Sequence, residues 1–254
     1  NVKVFSKTGS QKSIQFVPFH PSYKGAISLA TGDVDGDGKD EIGVCQSAQG
    51  DQSFCKVYKY ATDKPILAYW KAFGDVKVGA SLAFGDIDGD GLDEAITGAS
   101  AGGGPQVRVF DIGRKPVIAI EQGARLKPNQ FFAFSEQSRS GIIVASGDVD
   151  GDGKYEISAV QQAGDETNVK LFRFNSAHTV LASFRAYPAG QKTGASLIMA
   201  DLDADGKAEL ITGSGPADSV LVHVFDVQGK TKSIDITPYA QSFKGGVNVG
   251  AGKF

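Results

Sequence analysis

The chain has 254 residues, 41% of them hydrophobic and 22% charged, which is too apolar and too weakly charged for a disordered segment. Its net charge of −3 marks neither a nucleic-acid binder nor an acidic tail. No window is apolar for long enough to cross a bilayer or act as a signal peptide, so no membrane insertion is expected.

In chain order, the first runs with strand character are NVKVFSKTG (1–9) and SIQFVPF (13–19). ISLATGD follows and leads into an acidic stretch, DVDGDGKDEI (33–42), whose end opens a second run, EIGVC; FCKVYKY and ILAYWKAF complete the set. The same order then recurs three times: SLAFGD, EAITGA, QVRVFD and VIAIEQ; IIVASGD, EISAV, VKLFRF and VLASFRAY; GASLIMA, ELITGS, VLVHVFD and SIDITPY. Each run has strand length, β-branched or aromatic bias and period-two alternation, with glycine or proline between runs. No segment carries a helical stripe. The first acidic residues of the repeats fall at 33, 86, 148 and 201, giving periods of 53, 62 and 53 residues.

Four short antiparallel strands per period of about 50 residues describe a β-propeller blade. The fold class is therefore all-β, a single propeller over 1–254, with blades at about 25–78, 79–140, 141–193 and 194–244. GGVNVGAGKF (245–254) repeats the lead-in GAISLATGDV, so it supplies the inner strand of a fifth blade. Residues 1–24 supply that blade's third and fourth strands. The expectation is a five-bladed ring closed by a composite blade from both termini, lacking one second strand, in what reads as part of a larger chain.

The acidic stretches have the form DxDxDGxxE. Side chains at positions 1, 3, 5 and 9, with the carbonyl at position 7, can converge on one ion. The candidate ligands are Asp33, Asp35, Asp37, Lys39 (carbonyl) and Glu41; Asp86, Asp88, Asp90, Leu92 (carbonyl) and Glu94; Asp148, Asp150, Asp152, Lys154 (carbonyl) and Glu156; and Asp201, Asp203, Asp205, Lys207 (carbonyl) and Glu209. Gly38, Gly91, Gly153 and Gly206 at position 6 permit the sharp turn an EF-hand loop also makes, but the last acid comes at position 9 and the flanking elements are strands. All-oxygen ligation without His or Cys selects a hard cation, and a flexible carboxylate cage selects Ca²⁺ over Mg²⁺. About four Ca²⁺ ions, structural in role, are expected. A solvated acidic turn is the bland alternative for one loop; repetition at the same place in every unit argues against it. Lys253, where a fifth loop would begin, argues against a fifth ion.

LAFGDIDGDGLDEAITGAS (82–100) carries both halves of the FG-GAP signature, and the other units follow it with substitutions. Over nearly its whole length the chain resembles FG-GAP/VCBS repeats, the units of the integrin α-subunit propeller. That resemblance implies calcium in the loops between first and second strands, and a protein or glycan partner on the opposite face. The chain departs from integrin heads, which have seven blades.

Cys45 and Cys55 face each other if their runs form a hairpin centred on Gly50. A disulfide, favoured over two free thiols, agrees with a calcium-rich extracellular setting, secreted or at a cell surface. His20, His178 and His223 are scattered, and no nucleophile or phosphate-cradling motif appears. The expectation is thus no enzyme but a binding or adhesion module, with no nucleic-acid partner; the alternatives are the propeller of a polysaccharide lyase or other secreted hydrolase, or a structural spacer.

Overall fold

A computed structural model describes residues 1–112, 123–162, 164–216, 220–232, 236–240 and 242–251. The N-terminal hairpin is β1 (Val2–Phe5) with β2 (Gln11–Phe16). Blade 1 follows as β3 (Ile27–Gly32), β4 (Glu41–Gln46), β5 (Phe54–Tyr58) and β6 (Ile66–Lys71), an antiparallel meander in that order. Blade 2 is β7 (Ala80–Gly85), β8 (Glu94–Ala99) and β9 (Gln106–Ile112), with β10 (Ala124–Leu126) and β11 (Phe131–Phe132) both on the outer edge of β9. The sequence placed that blade's outer strand at 117–122, which lie outside the described residues.

Blade 3 is β12 (Ile142–Gly147), β13 (Glu156–Gln161), β14 (Asn168–Phe172) and β15 (Val180–Arg185). Blade 4 is β16 (Ala195–Ala200), β17 (Glu209–Ser214) and β18 (Val222–Phe225), and Ile236 from its expected outer strand bridges to Val222. Among the described residues there is no helix, so none is long and apolar enough to cross a membrane.

The second strands are the reason the alternation weakens there. β8 and β13 are buried at every residue because each is covered by a blade on either face, and β17 because blade 3 covers one face and Val247 and Val249 the other. Adjacent blades share their cores: Trp70 and Phe110 meet between blades 1 and 2 with ring centroids 5.5 Å apart, and Ile96, Ile142 and Ile157 fill the seam between blades 2 and 3. Burying one such large side chain contributes about 2–3 kcal/mol.

β3, β7, β12 and β16 lie side by side around the axis. Their small polar residues staple neighbours together: Leu82 N–H donates to Ser28 Oγ at 3.0 Å, Ser81 donates to Ile142 O at 3.0 Å, and Ser146 donates to Phe84 O at 2.6 Å. A serine is small enough for the narrow axis and carries a hydroxyl that satisfies a backbone group which no ladder reaches.

The two ends pack on different blades. Val2, Val4 and Phe16 pack on Ile42, Val44 and Tyr58 of blade 1. Val247 and Val249 pack on Ile211, Val222 and Val224 of blade 4, and Val247 accepts from Ser196 Oγ at 2.7 Å. Cys45 and Cys55 are register partners on β4 and β5, fully buried and joined as a disulfide.

Candidate metal centres

Each acidic loop winds around its first aspartate. Asp33 Oδ1 accepts from Gly36 N–H at 2.7 Å and Oδ2 from Gly38 N–H at 2.8 Å; Asp86 and Asp148 repeat the pair with Gly89 and Gly91, and with Gly151 and Gly153. The fifth-position aspartates Asp37, Asp90, Asp152 and Asp205 accept from the N–H of Lys39, Leu92, Lys154 and Lys207. From the far end, the ninth-position glutamate turns back: Glu41, Glu94, Glu156 and Glu209 accept from the N–H of Val34, Ile87, Val149 and Leu202 at 2.9–3.2 Å. Every carboxylate keeps lone pairs beyond these bonds, so the loop is shaped before any ion is considered.

The structure brings together the oxygens of Asp33, Asp35 and Asp37; of Asp86, Asp88 and Asp90; of Asp148, Asp150 and Glu156; and of Asp201, Asp203 and Glu209, each set within 4.8 Å. Burial pushes the Glu94 carboxyl up to about 7 and also raises Glu41 and Glu156, with Asp35 adding to the effect on Glu41. Glu41 is fully buried, and its Oε1 has no hydrogen-bond partner. An orphaned buried carboxylate oxygen is costly, and a divalent cation among Asp33, Asp35, Asp37 and Glu41 removes that cost. The donor set therefore fits a hard cation.

Sequence reasoning missed three features of the loops. The fourth position also needs a left-handed backbone: Gly36, Gly89 and Gly151 have φ of 77–81°, and Ala204 adopts 61° in the last loop. The eighth position docks each loop on the one before it, since Asp93, Tyr155 and Ala208 donate their N–H to the carbonyls of Asp33, Asp86 and Asp148 at 2.9, 2.8 and 2.6 Å. A cation from beyond the second strand reaches each loop: Lys59, Lys127, Arg173 and Lys232. The DxDG pattern alone announces the first feature through its paired glycines; the other two depend on blade packing. Lys253 lies outside the described residues.

Two cavities lie away from the loops. One of about 850 Å³ runs along the axis between the inner strands and residues 248–251, and its described lining is uncharged, with Ser28, Ser146, Gln162 and Asn248 among it. A second of about 340 Å³ opens at the opposite end of the strands from the acidic loops, between Gln162, Thr193, Pro216 and Asn248. Two histidines pack, His223 stacking on Tyr187 at 4.9 Å and His178 on Phe131 at 4.8 Å, while His20 is exposed beside Ser22. Phe73 and Tyr187 are buried between blades, whereas Tyr239 is exposed beside Phe243.

Sheets of antiparallel strands around an axis, each bearing one acidic loop between its first and second strands, define a β-propeller of DxDxDG repeats. The FG-GAP-like repeat family matches residues 148–212, which hold the third and fourth acidic loops, and the chain is a β-propeller that contains FG-GAP-like repeats. No curated protein matches the chain. Similar solved structures include rhamnogalacturonan lyase YesW (17% identity, TM-score 0.47, 91% of this chain and 44% of that one) and the exotype rhamnogalacturonan lyase YesX (16%, TM-score 0.49, 90% and 42%). A third is the PL11 rhamnogalacturonan lyase of Bacillus licheniformis (16%, TM-score 0.44, 91% and 44%). The chain thus spans less than half the length of each. All three are lyases, which runs against the expectation that the chain is no enzyme.

Proposed function

We propose that the chain is a calcium-loaded extracellular propeller that holds a glycan or protein partner on the face opposite the acidic loops. The unpartnered, fully buried Glu41 Oε1 carries the metal half of this reading, because a bound cation would satisfy an oxygen that no protein group reaches. Ca²⁺ is the ion that suits the loops, with ligands Asp33, Asp35, Asp37, Glu41 and the Lys39 carbonyl in the first, and the corresponding residues in the other three. The buried disulfide supports an oxidising setting. Calcium titration of the chelated chain tests this half: saturable uptake with a rise in Tm is expected, and an unchanged melt with no uptake overturns it.

A second reading, a propeller working within a polysaccharide-cleaving protein, is favoured by the axial cavity. At about 850 Å³ it has the volume of a small-ligand site, and its hydroxyls and amides suit sugar hydroxyls. Its described lining holds no acid, base or basic side chain, so cleavage there needs a group from elsewhere. A glycan array read alongside a cleavage assay on rhamnogalacturonan and other acidic polysaccharides, both with calcium present, separates the two: retention without new chain ends supports binding, and new chain ends support cleavage.

A further inference from the structure

One cation reaches every acidic loop, and it arrives by two different routes. In blades 1 and 3 it stands just after the third strand, as Lys59 after β5 and Arg173 after β14. Blades 2 and 4 carry aspartates at that position, Asp111 and Asp226, and their cation comes from the neighbouring outer segment. There Lys127 and Lys232 occupy matching places, their N–H groups donating to Val109 O and Val224 O.

Both routes end on carboxylates assigned above to the ion. Lys59 Nζ lies 2.5 Å from Asp35 and 2.8 Å from Asp37. Lys127 Nζ lies 2.6 Å from Asp88, 3.4 Å from Glu94 and 2.6 Å from Asp111. Arg173 pairs with Asp150 and, at 3.2 Å, with Glu156, and Lys232 lies 2.9 Å from Asp203 and 2.5 Å from Glu209. Ordinary surface ion pairs would be expected to vary from blade to blade. Here a cation lost from one position is replaced from another, and it still meets the third- or ninth-position acid.

Resting on the reading of the loops as calcium sites, we propose that Lys59, Lys127, Arg173 and Lys232 are tethered counter-ions that neutralise the loops when metal is absent and are displaced outward when it binds. At Lys59 and Lys232 an ammonium nitrogen lies within 3 Å of two ligand oxygens, close to where a calcium ion would sit at about 2.3–2.6 Å from them, so the two cations repel and compete for those oxygens. The tether does not complete the site. At blade 1 it leaves the buried Glu41 Oε1 unpartnered, and that oxygen is what metal gains over ammonium. Two consequences follow from one arrangement: the propeller stays folded without calcium, and its affinity for calcium is lower than the carboxylate count implies.

Calcium titration by calorimetry on the intact chain, Lys59→Met, Lys232→Met and the charge-retaining Lys59→Arg tests this. Each Met variant should gain one site that binds about tenfold tighter, since a unit charge a few ångströms from the ion is removed. Each should also melt lower in chelator, widening the gap between chelated and calcium-loaded Tm, while Lys59→Arg stays near the parent. Equal or weaker binding in both Met variants, with the parent binding calcium normally, overturns the proposal and leaves the metal reading intact. No uptake by the parent or any variant overturns the metal reading itself.

Discussion

Loops 2 and 4, DIDGDGLDE and DLDADGKAE, share their four ligand acids and the sixth-position glycine, yet the fold treats them differently. Loop 2 is enclosed. The next blade's Tyr155 docks on Asp86, the Lys154 side chain lies over Gly89, and Lys127 is only 10% exposed among its carboxylates. Loop 4 is the last of the series, its counter-ion Lys232 is 34% exposed, and it tolerates an alanine in the left-handed fourth position. A repeat thus specifies the turn, while the following blade decides how deeply the turn's charges are buried.

Breaking the enclosed charge network gives the largest contrast. Lys127→Met leaves the buried Glu94 without a counter-charge and Asp111 with Arg125 alone, and should cost about 3 kcal/mol in chelator. Lys232→Met, at a solvated pair, should cost far less, and equal losses by denaturant unfolding would erase the distinction between the loops. Calcium should narrow the Lys127→Met deficit, because metal supplies the missing charge.

The fourth loop position comes next. Gly36→Ala places a Cβ 2.8 Å from Leu92 Cδ2 on a backbone at φ 77°, and should cost about 1–2 kcal/mol. Ala204→Gly, in the reverse direction, should raise Tm by the relief of up to about 1 kcal/mol. A lower Tm for Ala204→Gly would show that the last loop is not strained.

The smallest effect is one of pH. Burial, resisted by the hydrogen bond from Asp33 N–H, holds the Asp93 carboxyl at about 6 in the fold, above its ordinary value of 3.8. The folded state therefore binds the proton more readily than the unfolded chain, and its contribution to stability is full below 3.8 and lost as pH rises through 6. In chelator, Asp93→Asn should flatten the fall of Tm over that window. Ala208 occupies this place in loop 4 and gives the comparison its uncharged control.

Much of this was legible beforehand. The inner, second and third strands of each blade fall on the predicted runs, because period-two alternation with glycine breaks is a local signal. The Cys45–Cys55 pairing was legible from a hairpin centred on Gly50, since register follows from turn length. Asp111 was not. It sits at the end of an unremarkable strand, QVRVFD, and becomes part of an acid cluster with Asp88 and Glu94 only when β9 is laid beside β8. The pairing of Asp93 with the previous blade was equally hidden, as the two partners are 60 residues apart.

The sequence by itself determined the repeat, the strand identities and the carboxylates that shape each acidic turn, because those depend on residues within a few positions of one another. Tertiary structure alone decided which loops are buried, which cation serves each and which carboxylate oxygen is left without a partner. Those outcomes depend on blades packing face to face, where solvent exclusion sets the strength of every charge and no short stretch of chain records its neighbour.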